Sequence, residues 1–111
     1  KDGIDAEGRA FKAFLGFART HKEIYRIIDE AEFVAPDAWH AHYGQTADRI
    51  LERLKAAEAR GEISQPVDEV HAWAIMGMNV FLGLRYGVMG EDRDVDEVTA
   101  VANDLVRRGL G

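Results

Sequence analysis

A chain of 111 residues, 47% hydrophobic and 31% charged, can build one small globular domain with a single core and has no room for a second. Its 20 acidic and 14 basic residues give a formal net charge of −6, which repels a polyphosphate backbone and makes the domain as a whole a poor nucleic-acid binder. Without cysteine there are neither disulfide staples nor thiolate chemistry, and the reducing cytoplasm is the expected compartment. A first residue of Lys1 rather than methionine suggests a piece of something longer.

From Asp5 to Thr20, Phe11, Phe14, Leu15 and Ala18 recur at helical spacing, with Ala10, Ala13 and Phe17 widening the stripe. A second helix follows from Lys22 to Ala35, carrying Ile24, Ile27, Ile28, Ala31 and Val34 on one side. Pro36 ends it, because the residue before a proline is driven out of helical geometry while proline itself suits a first turn. A long third helix, Pro36 to Arg60, has Trp39, Tyr43, Ala47, Ile50, Leu51, Leu54 and Ala57 in one stripe and Arg53 among the residues facing water, with Gly61 as its stop. A last amphipathic helix runs from the cap Asp94 to about Arg108, with Val95, Val98, Ala102 and Leu105 at 3-4-3 spacing.

The run from Val67 to Met89 differs from these. At about 100° per residue its side chains fall on three arcs, and all three are apolar. Val70, Trp73, Ala74, Gly77, Phe81, Leu84 and Val88 form one; Ile75, Met78, Leu82 and Met89 a second; Ala72, Met76, Asn79, Gly83 and Gly87 the third. Asp68, Glu69, His71, Asn79 and Arg85 interrupt the run and argue against a membrane span. A helix apolar all round must be covered all round, so a partner surface is expected on one arc. The small-xxx-small spacing of Gly83 and Gly87 points to that seam, a homodimer.

Chemistry is sparse. His40 and His42 project about 200° apart on a helix and cannot share an ion, so Asp37 with His40 supplies at most two ligands and no metal site is expected. Ser64 sits in no nucleophile motif, there is no phosphate loop, and neither a catalytic residue nor a cofactor is expected. What remains is a set of rings and flexible side chains able to converge on a small apolar ligand: Phe14, Phe17, Tyr25, Phe33, Trp39, Tyr43, Met76 and Asn79. Plain core is the competing reading. Asn79 favours a pocket, since a buried amide needs partners. Arg85 is expected to pair with Glu30, Glu32 or an anionic ligand.

The order of these elements, with THKEIYRIIDEAEF, the AP corner, ARGEI and WAIMGMNVFLGLRY, resembles the C-terminal regulatory domain of TetR-family transcription regulators over the whole of residues 1–111. The resemblance implies an all-α five-helix bundle whose first four helices enclose an effector pocket. It also implies a homodimer seam on the last two helices, drawn from Ala72, Gly83, Gly87, Val95, Val98, Ala102 and Leu105. DNA contact would belong to an N-terminal helix-turn-helix with no counterpart in this sequence. A small metal-binding or enzymatic bundle, and a dimeric module without ligand, are the alternatives.

Overall fold

The computed structural model describes residues 3–111; residues 1 and 2 of the expected 1–111 domain lie outside the described residues. It is all-helical, with helices α1 (Gly3–Thr20), α2 (Lys22–Val34), α3 (Pro36–Ala59), α4 (Glu69–Gly83) and α5 (Val95–Leu110), and no strand among the described residues. Local chemistry explains the boundaries. Pro36 opens α3, and Gly61, at φ 81°, closes it in a Schellman turn, Gly61 N donating to Glu58 O and Glu62 N to Ala57 O at 3.0 and 2.9 Å. Asp94 caps α5 by accepting from Asp96 N at 3.0 Å.

Both ends of α4 depart from the sequence expectation. Helix α4 starts at Glu69 rather than Val67, because Asp68 accepts from Val70 N at 2.9 Å while His71 Nδ1 accepts from Asp68 N at 3.1 Å. A histidine here does the work usually given to glutamate in a capping box. At its other end α4 widens into a π-helical turn, Leu84–Val88, in which Met89 N donates to Leu84 O at 2.8 Å. The slower winding rotates Val88 inward by roughly a quarter turn. Val88 is therefore buried beside Ala18 and Tyr25, although the straight-helix arc groups it with the exposed Phe81. Arg19 of α1 donates to Tyr86 O at 2.8 Å, satisfying a carbonyl of that turn.

The molecule is a slab measuring 40 × 34 × 18 Å. Its thickness is less than two helix diameters of about 10–12 Å each. The principal core lies between α3 and α4, where Ile50, Leu54, Ala57, Ala72, Ile75 and Met76 pack with Ile4 of α1. A second cluster joins Phe11 and Leu15 of α1 to Val98 and Ala102 of α5. Arg85 pairs with Asp92 at 3.0 Å, not with Glu30 or Glu32, since the loop after the π-turn brings Asp92 back to it. No helix among the described residues is long and apolar enough to cross a membrane.

Leu54 has no exposed surface, so Leu54→Ala should lower the unfolding free energy by about 2–5 kcal/mol in urea titrations. Ile27→Ala, at an exposed position of α2, should change it by no more than about 0.5 kcal/mol.

Candidate functional site

Helices α1 to α4 flank a partly open cavity of about 340 Å³, and each contributes to its wall. Helix α1 supplies Glu7, Ala10, Phe14 and Phe17, and α2 supplies Tyr25 and Ile28. From α3 come His42, Tyr43, Thr46, Ile50 and Arg53, and from α4 Met76, Asn79 and Val80. The geometry follows from the stripes: Phe14 and Phe17 lie one turn apart on α1, and Tyr43, Thr46, Ile50 and Arg53 descend one side of α3.

Six of the eight residues expected in a pocket meet here: Phe14, Phe17, Tyr25, Tyr43, Met76 and Asn79. Two do not. Phe33, at the solvent end of α2, is 82% exposed, and Trp39 is turned along α3, its ring set edge-on against His40 and Tyr43. Only one residue of α2 is buried, Tyr25, which anchors the helix over the cavity. Its hydroxyl donates to Val80 O at 2.6 Å, and its ring lies 6.0 Å from that of Phe14. Burial, reinforced by Tyr43 and Asp29, pushes the Tyr25 phenol up to about 12. Tyr43 is raised as well, by burial and by the carboxylates of Asp29 and Glu32.

The sequence reading missed the cavity's charged pair. Glu7 is only 4% exposed, and Arg53 reaches across 46 positions of sequence to hold it in a two-pronged ion pair through Nε and Nη2. The available signal was periodicity: Glu7 stands four residues before Phe11 on the α1 stripe, and Arg53 three after Ile50 on that of α3. Asn79 Oδ1 is buried without a hydrogen-bond partner among the described residues. Its amide lines both the cavity and a crevice leading toward Asn103 of α5. Among the described residues no three His, Asp or Glu side chains gather where they could hold a metal ion.

The residues expected at a dimer seam are mostly occupied by the chain itself. Ala72 belongs to the α3–α4 core. A Cβ on Gly83 would stand 2.5 Å from the Phe14 ring, and one on Gly87 2.9 Å from Ala18 Cβ, so the glycine spacing serves the approach of α1. Val98 and Ala102 are buried on Phe11 and Leu15, with Val95 half-buried beside them. Leu105 alone of the seven is exposed, at 62%. The arc of α4 left open is the first one: Val70, Trp73 and Phe81 lie on the surface, Trp73 at 45% and Phe81 at 70% exposure. Alongside runs an apolar groove between α4 and α5, lined by Ala74, Ile75, Met78, Leu105 and Val106.

Comparison of the chain with protein-family models, curated proteins and solved structures found no significant match.

The folded chain binds the Tyr25 proton more tightly than the unfolded chain, so this contribution to stability is fully present below pH 10 and is lost as pH rises toward 12. Urea midpoints measured across that interval should fall, and Tyr25→Phe should flatten the slope while costing about 1 kcal/mol at neutral pH for the lost bond to Val80.

Proposed function

We propose that this chain is the effector-binding and dimerisation domain of a TetR-like transcription regulator, without catalytic activity of its own. The observation that supports the reading most is the cavity of about 340 Å³ among α1–α4, whose size and largely apolar, ring-lined wall suit a small molecule. Its few polar groups include an amide oxygen lacking a partner, a feature a plain hydrophobic core avoids. The second support is the open apolar arc of Val70, Trp73 and Phe81 with the adjoining groove to Leu105, which a second copy would cover.

In this account α4 joins the two functions. Met76, Asn79 and Val80 face the ligand, while Trp73 and Phe81 on the same helix face the partner. An effector that shifts α4 biases one dimer arrangement over another, and a coupling of about 1–3 kcal/mol is enough for a regulatory switch. DNA reading is no part of the role of these residues; it belongs to a helix-turn-helix unit beyond this sequence.

Melting curves against a panel of lipophilic amines, alcohols, acids and aromatics test the first half. A ligand at 100 times its dissociation constant adds about 2.7 kcal/mol. Binders should raise the melting temperature, and filling the cavity with Ile50→Trp should abolish the rise; a flat response to the whole panel would favour a dimeric module without ligand.

Sedimentation tests the second half. Phe81→Glu and Leu105→Glu alter exposed positions and should give folded monomers, whereas Glu52→Lys should remain dimeric. Gly83→Glu, by contrast, should unfold the chain because Phe14 occupies the space. A dimer mass for both exposed-arc variants would refute the seam.

A further inference from the structure

Several polar groups of the α1–α4 cavity have acceptor capacity to spare. Asn79 Oδ1 has no partner among the described residues, and the Glu7 carboxylate is engaged by Arg53 through two nitrogens, which leaves lone pairs free. The Tyr25 hydroxyl gives its proton to Val80 O. At the α2–α3 side the carboxylates of Asp29 and Glu32 lie close enough for their field to reach the Tyr43 hydroxyl. Among the described residues Arg53 and His42 are the only basic side chains of the wall, and Arg53 gives two of its five N–H groups to Glu7.

An acidic ligand meets this arrangement badly. An acid that reaches the remaining N–H groups of Arg53 stands beside the Glu7 carboxylate, a like charge that is 4% exposed and already holds two of the guanidinium's donors. A cationic ligand meets acceptors already in place, and the rings of Phe14, Phe17, Tyr25 and Tyr43 offer π-faces to a positive head as well as apolar surface to its body. Resting on the reading of the cavity as a ligand site, we propose that its occupant is a lipophilic amine carrying one positive charge, its N–H groups donating to Asn79 Oδ1 and to the Glu7 carboxylate.

Phenylhexylamine, phenylhexanol and phenylhexanoate share one apolar body and differ in head group, so calorimetric titration of each into the intact chain isolates the head. The amine should bind at least tenfold more tightly than the acid, with the alcohol between them. Asn79→Leu, an apolar replacement among apolar neighbours, should cut that preference severalfold, as should Glu7→Gln in protein whose circular dichroism matches the parent. Equal or tighter binding of phenylhexanoate would overturn the ligand class and leave the cavity reading standing. An amine preference unchanged in both variants would also overturn it, tracing the preference to the net charge of −6 instead. Silence from all three compounds would remove the ligand class and the cavity reading together.

Discussion

The constraint on which this structure turns is that α4 is apolar on every side while the slab around it is only 18 Å thick. Two layers of helix can bury two of its three arcs. Ala72, Met76 and Gly83 go inward against α3 and α1; Ile75, Met78 and Leu82 line the direction of α5; Val70, Trp73 and Phe81 are left outside. Among the described residues no other helix lies over the arc of Val70, Trp73 and Phe81, because α5 packs chiefly on α1 and α2 lies across the far side of the cavity. An apolar arc of this width costs solvation free energy for as long as it faces water, and that cost favours association.

The cavity has a related origin. Helix α2 buries a single residue, Tyr25, so it spans α1 and α3 without filling the space beneath it. Bulky rings at Phe14, Tyr25 and Tyr43 hold the helices apart, and the Glu7–Arg53 pair fixes α1 to α3 at one end of the opening. The pair is a specific fastener: its carboxylate is buried, its guanidinium is half-exposed, and each satisfies the other in a setting where either alone would be costly. Phe14 connects the two regions, since its ring forms part of the cavity wall and also rests on Gly83, where α4 passes into the π-turn.

Much of this was legible in the sequence. The three arcs of α4, the Gly61 stop, the Pro36 corner, the Asp94 cap and six cavity residues all follow from periodicity and local backbone chemistry. Three things were not. The π-turn leaves no simple composition mark, and it alone moves Val88 from the outer arc to the interior. The Glu7–Arg53 pair joins residues far apart in the chain, and a charge on an apolar stripe is easily read as a solvated rim. The glycines at 83 and 87 mark a close helix approach that the sequence places at a homodimer seam; the helix that comes close is α1 of the same chain, and the apolar residues left exposed are Trp73, Phe81 and Leu105.

Trp73 stands on the open arc and reports directly on whether a second molecule shelters it. In a Trp39→Phe chain its fluorescence is unmixed, and diluting the protein from high to low concentration should move the emission maximum from the blue of a buried indole to the red of a hydrated one. A maximum that stays red at every concentration would contradict the claim that the arc of α4 bearing Val70, Trp73 and Phe81 is built to be covered.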